Sequence, residues 1–288
     1  MDKPQEILSV LNRETGIQFS GWTALSGGDI SQAYRLTSDQ GSLFLKMNAD
    51  FAAEQMFRVE AMGLQALSNT GFIQTPKVIW RGNLGEAEGL LLAFIPSRTP
   101  SRNDRFNFGQ ALAKMHQQSH IAFGWEQDNF IGTLVQSNKA NASWPDFYVK
   151  ERLAPQFQLA FDAQLIKRTA IPSLDRMLQV IQDCCPELQP ALLHGDLWGG
   201  NYLISETGVP FLIDPAVYYG HAEMDLSMSR LFGGFDAAFY QGYETILPQE
   251  RGYEERQDLY QLYYLLVHLN LFGKSYYSAC HRIIQRYF

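Results

Sequence analysis

The 288-residue chain lacks the features that mark secreted, membrane-spanning or nucleic-acid-binding proteins. Its three cysteines, Cys184, Cys185 and Cys280, are an odd number without C-x-x-C spacing, which excludes a disulfide framework or a thiolate zinc site and leaves reduced thiols. No apolar run approaches the roughly 20 residues that a membrane span needs. The opening Met1-Asp2-Lys3-Pro4-Gln5-Glu6 lacks the apolar stretch of a signal peptide, so a cytoplasmic location and no membrane partner are expected. Positive charge is short as well: 23 Lys and Arg stand against 30 Asp and Glu, for a net charge of −7. Without a dense basic run, no nucleic-acid partner is expected. No internal repeat or low-complexity linker interrupts the chain. What is present, 46% hydrophobic and 18% charged residues, describes an ordinary globular interior, large enough for one big domain or two modest ones.

The most informative stretch is Leu193-His194-Gly195-Asp196-Leu197-Trp198-Gly199-Gly200-Asn201, followed by Phe211-Leu212-Ile213-Asp214-Pro215. It sets two carboxylates and an amide on short connections beside the apolar runs Ala191 to Leu193 and Tyr202 to Ile204. Phosphoryl transfer from Mg²⁺–ATP asks for that set: one carboxylate orients the attacking hydroxyl, while a second carboxylate and an amide oxygen hold the metal against the phosphates. Asp196, Asn201 and Asp214 are the candidates, Asp196 as base and the other two as Mg²⁺ ligands. As bare turns, the same residues would be loop punctuation. Order, spacing and flanking runs favour chemistry. The pattern follows the protein-kinase catalytic loop, with Gly195 where those enzymes carry Arg and Asp-Pro where they carry Asp-Phe-Gly. Both departures point to a small-molecule kinase without an activation-loop switch.

Upstream, Leu8 to Phe19 reads as a short helix and its exit. Two strands, Trp22 to Leu25 and Ala33 to Leu36, flank Ser26-Gly27-Gly28-Asp29-Ile30-Ser31. Glycine lets backbone N–H groups approach phosphate, so Gly27, Gly28, Ile30 and Ser31 are candidate nucleotide contacts, although Gly27-Gly28 alone also suits a plain hairpin. The strand Ser42 to Met47 carries Lys46 as the candidate phosphate cation. The helical pattern over Phe51 to Leu67 carries Glu54 and Glu60. Glu60, mid-helix beside Ala61 and Leu64, is the expected partner of Lys46, and Glu54 belongs to the first turn.

Strands at Val78 to Trp80 and Gly89 to Phe94 then reach a hinge whose backbone at Ala93, Phe94 and Ile95 suits adenine. Ser101 to Asp104 opens a helix ending at His116, a structural histidine, with Phe108, Leu112 and Met115 on its core face. A loop over Gly124 to Gly132 and helices over Trp144 to Phe161, Ser173 to Cys185, Leu259 to Phe272 and Ser278 to Phe288 follow. The expected fold is α+β and two-lobed like a protein kinase. Residues 1–95 would form a small antiparallel-sheet lobe with one main helix that binds nucleotide, and residues 96–288 a larger, mostly helical lobe for catalysis and substrate.

These residues carry a resemblance. The chain resembles the fructosamine/ketosamine-3-kinase family, a branch of the aminoglycoside-phosphotransferase and protein-kinase-like superfamily. The likeness rests on His194 to Asn201, on Ile213-Asp214-Pro215-Ala216-Val217-Tyr218-Tyr219-Gly220-His221-Ala222-Glu223-Met224-Asp225-Leu226 and on Leu231-Phe232-Gly233-Gly234-Phe235. It extends to Gly27 to Ser31, Phe44 to Lys46, Phe57 to Leu67 and His268 to Gly273. The resemblance implies ATP-dependent phosphorylation of the sugar 3-hydroxyl of a ketosamine, free or on a glycated protein, in the service of deglycation. It also implies that Lys46 and Glu60 position phosphate, that Trp198 packs on a sugar ring or supports the loop from the core, and that His268 lies near substrate or in the core. Asp225 is expected to brace the catalytic loop. Some members carry a redox cysteine in the glycine-rich loop, which this chain lacks. A monomer or weak homodimer is expected. The competing functions are a kinase for an aminoglycoside, choline or another sugar, and a nucleotide-binding pseudokinase scaffold.

Overall fold

The computed structural model describes residues 3–25, 31–185 and 187–288. Helix α1 (Lys3–Thr15) precedes a five-stranded antiparallel sheet. The sheet comprises β1 (Phe19–Leu25), β2 (Gln32–Ser38), β3 (Gly41–Asn48), β4 (Val78–Asn83) and β5 (Glu88–Ala93), in the order β1-β2-β3-β5-β4. Helix α2 (Ala53–Asn69) joins β3 to β4. Alternation along the strands divides the sheet's two faces. Leu36, Leu45 and Leu91 pack with Ile7 and Leu11 of α1, while Leu90 and Leu92 pack with Phe57 and Leu64 of α2. The first helix starts earlier and stops sooner than its apolar pattern suggests. Thr15 folds its hydroxyl back onto the Leu11 carbonyl, Gly16 turns the chain at φ 72°, and Phe19 already belongs to β1.

Helix α3 (Arg102–His116) begins at a reciprocal cap: Ser101 Oγ accepts from the Asp104 N–H, and Asp104 accepts from the Ser101 N–H. The stretch expected as a plain loop contains β6 (Asn129–Ile131), which pairs with β7 (Leu134–Gln136). Helix α4 (Trp144–Phe147) runs through a π turn at Tyr148–Leu153 into α5 (Ala154–Asp162), followed by α6 (Leu174–Cys184). Two short hairpin-like pairings carry the motif residues: β8 (Ala191–Leu193) with β11 (Tyr218–Gly220), and β9 (Tyr202–Ile204) with β10 (Pro210–Leu212). The chain closes with α7 (Glu223–Leu231), α8 (Ala237–Glu244), α9 (Tyr253–Phe272) and α10 (Tyr277–Tyr287).

Helix α9 is apolar on nearly every side because α5, α7 and α10 all pack on it. The end of α2 is shared between regions: Leu67 lies in one buried cluster with Phe108 and Leu112 of α3 and Phe239 of α8. That packing sets α2, and with it Glu60, against the helical region. The three cysteines are free thiols. No helix among the described residues is long and apolar enough to cross a membrane.

Candidate active site

Lys46 lies near the end of β3, opposite Ala33 of β2 and Leu90 of β5. Its Nζ donates to both oxygens of Glu60, at 2.9 and 2.8 Å, and to Asp214 Oδ1 at 2.8 Å. Burial alone would lower the Lys46 pKa, but Asp214 and Glu60 outweigh it and raise the value above that of an ordinary lysine. The same burial raises Glu60, with Lys46 opposing. Glu54 instead reaches Arg81 on the surface, at 2.7 Å.

The loop after β8 is built around His194. Its Nδ1 accepts from the Asp196 N–H at 3.2 Å and its Nε2–H donates to the Ile213 carbonyl at 2.8 Å, so one neutral ring ties the Asp196 backbone to the residue before Asp214. Burial lowers the His194 pKa, in keeping with that tautomer. Gly195 has φ 84°, and a Cβ there would lie 2.0 Å from the Ala216 carbonyl oxygen. An arginine therefore cannot occupy this position without moving the segment that leads into β11. Asp225, fully buried in α7, accepts from the backbone N–H groups of His194 (2.7 Å) and Gly195 (2.9 Å) and from His116 Nε2 (3.1 Å). His116 is itself buried and meets the Tyr243 hydroxyl through Nδ1 at 2.8 Å.

Asn201 Nδ2 donates to the Asp196 carbonyl at 2.9 Å and to Asp196 Oδ2 at 3.1 Å, while its own carbonyl accepts from the Ile213 N–H at 3.1 Å. Asn201 thus pairs with Asp196 and, through its backbone carbonyl, ties that pair to the residue before Asp214. Burial, then the charge of Asp214, pushes Asp196 up to about 7, a value suited to a base near neutral pH, while the amide of Asn201 pulls it down. Asp214 keeps 46% of its side chain exposed and has φ 53°, a left-handed backbone unusual for a residue other than glycine. Lys46 holds the Asp214 pKa below its ordinary value against the effect of its partial burial.

The hinge follows β5. Ala93 donates its N–H to the Lys77 carbonyl (2.9 Å), and the chain leaves the sheet at Phe94 and Ile95. Arg98 and Glu206 tie the hinge to β9 through bonds to the Ile204 and Pro96 carbonyls. Ser31 opens the described chain before β2 and meets Asn48 at 3.5 Å; Gly27, Gly28 and Ile30 lie outside the described residues. Trp198 is 40% exposed and lies across Gly200, where a Cβ would come within 2.3 Å of the indole, so it is no core residue. His268 is half-buried on α9, its ring against Phe232 at 4.3 Å. A pocket of about 560 Å³ lined by His120, Trp125, Gln127 and Tyr219 includes none of these groups. His194 and Tyr264, whose hydroxyl donates to the Gly195 carbonyl at 3.2 Å, were not singled out from sequence. The His-x-Asp spacing signalled His194; nothing local signalled Tyr264.

A model of the family described as fructosamine kinase matches residues 3–288. The chain belongs to the fructosamine kinase family. With that family it shares an ATP-dependent phosphotransferase activity toward a hydroxyl group. A probable ketoamine kinase of Synechocystis sp. is 39% identical, over 98% of this chain and 96% of that protein. A chloroplastic protein-ribulosamine 3-kinase of Oryza sativa subsp. indica is 36% identical, over 96% of this chain and 82% of that protein. The crystal structure of a candidate fructosamine-3-kinase of Haemophilus somnus superposes with a TM-score of 0.88 at 29% identity, covering 99% of this chain and 97% of that one. The aminoglycoside phosphotransferase APH(4)-Ia, at 16% identity and a TM-score of 0.65, shares the fold. The family's two-part architecture is therefore present here: an antiparallel sheet with α2, then a mostly helical region.

Proposed function

We propose that the protein transfers the γ-phosphoryl group of ATP to the 3-hydroxyl of a ketosamine, a reaction that makes the sugar–amine adduct labile and so serves deglycation. In this reading the chain divides at residues 95 and 96, with nucleotide held between a lobe of residues 1–95 and a lobe of residues 96–288. Phe94 and Ile95 meet adenine through their backbone, Ala93 supports them, and Gly27, Gly28, Ile30 and Ser31 cover the phosphates. Lys46, aligned by Glu60, neutralises phosphate charge.

Asp196 accepts the proton of the sugar O3 as that oxygen attacks the γ-phosphorus; the bond from phosphorus to the bridging oxygen breaks and ADP leaves. Asn201 holds the Asp196 carboxylate in place through its amide N–H. The oxygens of Asn201 and Asp214 would hold Mg²⁺. No group of three or more His, Cys, Asp or Glu able to enclose a metal occurs among the described residues, and one carboxylate with one amide is the sparse oxygen set that suits an ion keeping most of its water. When bound, Mg²⁺ supplies charge neutralisation at the transferring phosphates. The half-exposed indole of Trp198 offers a flat face to the sugar ring, and His268 faces the acceptor side.

What supports this reading most is the convergence of Lys46, Glu60 and Asp214 in one bonded group while Asp196 and Asn201 pair beside them. A panel of ATP-turnover assays tests it. Turnover is expected with fructosamines or ribulosamines, with the new phosphate on O3 by NMR; turnover confined to aminoglycosides or choline overturns it. Asp196→Asn is expected to lower kcat by roughly 10²–10⁴-fold with ATP affinity nearly intact. Unchanged turnover in that variant removes Asp196 from the mechanism.

A further inference from the structure

Between β10 and β11 the chain carries Asp214 and then runs buried through Pro215, Ala216 and Val217 without joining a sheet. The carbonyls there need partners that no strand supplies. Side-chain amides take that place. Asn129 and Gln136, opposite each other in the β6–β7 hairpin, donate to the Val217 carbonyl at 2.7 Å and to the Ala216 carbonyl at 3.2 Å. Both amides are buried.

The orientation of each amide follows by elimination. A carbonyl can only accept, so Gln136 turns Nε2 toward Ala216 and Oε1 toward Tyr263, whose hydroxyl donates at 2.6 Å. Asn129 turns Nδ2 toward Val217, so its Oδ1 accepts from Gln136 Nε2 at 2.7 Å and from Asn138 Nδ2 at 3.0 Å. Asn138 Oδ1 in turn accepts from Nη2 of Arg152 at 2.7 Å. The Arg152 side chain is itself buried, its guanidinium over the faces of Tyr218 (4.0 Å) and Phe147 (4.6 Å). Each bond in this chain has one possible direction, so neither amide can flip without breaking its neighbours' bonds.

The network ends where the two halves of the site meet. The Ala216 carbonyl oxygen that Gln136 holds is the atom a Cβ on Gly195 would strike, and the Ala216 N–H donates to the His194 carbonyl at 2.9 Å. Tyr264, next to Tyr263 on α9, donates to the Gly195 carbonyl at 3.2 Å. One helix thus grips the Asp196 side through Tyr264 and the Asp214 side through Tyr263 and Gln136. The left-handed backbone of Asp214, at φ 53°, persists only where its surroundings over-determine it, and this network supplies the hold on its C-terminal side.

We propose that Gln136 is a positioning residue for phosphoryl transfer: with Asn129 and Tyr263 it fixes the segment 214–217 and so aims the Asp214 carboxylate relative to Asp196. The inference rests on the reading of Asp214 as a Mg²⁺ ligand and adds what holds that ligand in place.

Its test measures calorimetric binding of a non-hydrolysable ATP analogue with and without Mg²⁺, beside kcat. The wild-type protein is expected to bind the analogue more tightly with the metal. Gln136→Met keeps the length of the side chain and removes its amide. It is expected to lose roughly tenfold of the affinity measured with Mg²⁺ and little of that without, and to lower kcat by a similar factor. Tyr263→Phe removes only the hydroxyl that orients the amide, so the same split is expected at about threefold, even if Gln136→Met fails to fold. Tyr148→Phe is the control: its hydroxyl is buried as well and donates to the Leu259 carbonyl, also on α9, at 2.6 Å. It is expected to lower the melting temperature as Tyr263→Phe does and to leave the metal-dependent affinity unchanged. Unchanged metal-dependent affinity in Tyr263→Phe, or an equal loss in Tyr148→Phe, makes the network a fold element only and overturns the proposal. A wild-type protein whose binding is indifferent to Mg²⁺ overturns the metal reading of Asp214 with it.

Discussion

Asp214 and Asp225 belong to the same motif block, yet their surroundings differ in almost every respect. Asp214 is half-exposed, sits on a left-handed backbone and answers one cation, Lys46. Asp225 is fully buried and accepts from two backbone N–H groups and a buried imidazole. The first arrangement leaves oxygen lone pairs open to solvent on a strained backbone. The second spends every interaction on holding the 194–195 backbone still. A carboxylate thus serves as a ligand-facing group or as an internal strut according to how many fixed donors surround it.

The contrast can be broken at each end. Asp225→Ala removes the acceptor for three buried donors at once, so it is expected to cost about 3–5 kcal/mol of stability, with collapse of activity even where the protein still folds. Denaturant titration and kcat together check this; a loss below about 1 kcal/mol would mean that the loop is held elsewhere. Glu60→Gln acts on the other end, through the lysine that Asp214 shares with it. Lys46 keeps Asp214 as a partner, so a smaller effect is expected: roughly tenfold in kcat, with stability little changed. Loss of folding in Glu60→Gln would show that the lysine cluster is as structural as the Asp225 clamp.

A third effect, seen only on acidification, comes from the buried network behind both. His221 meets the Tyr260 hydroxyl at 2.7 Å, with Trp144, Glu223 and Arg256 packed around the pair. Burial, aided by the Arg256 charge, pushes His221 down to about 3 from a reference of 6.5. With the folded value depressed, the unfolded chain binds the proton first. Stability is therefore full above pH about 6.5 and falls as pH drops toward about 3, by up to roughly 1.4 kcal/mol per pH unit. Chemical denaturation between pH 7 and 4.5 should show a shallower decline in His221→Gln than in the wild type; parallel profiles would assign the acid sensitivity to other groups.

Local sequence was sufficient wherever the signal was periodic or chemically rare. The apolar runs of β3 and β5, the apolar stripe of α2, the polar Ser101–Asp104 start of α3 and the His-x-Asp and Ile-Asp-Pro blocks all read directly, since each depends on neighbours within a turn or a strand pair. Signals that depended on competition read less well. The start of the first helix, at Lys3 rather than Leu8, and α8, whose face is set by packing on α3, have no such local signal.

The sequence by itself determined the reaction class, because phosphoryl transfer needs a lysine, two carboxylates and an amide in an order that few other functions would impose. The sequence also pointed to Glu60 rather than Glu54 as the partner of Lys46, whereas only the tertiary structure decided that Gly195 is imposed by the Ala216 carbonyl and that Trp198 faces solvent. It also decided that Phe232, Phe272 and Tyr276 gather around His268. Each of these joins residues far apart in the chain, and at that range the choice of partner is made by the packing of helices α2, α7 and α9 rather than by any local preference of the residues themselves.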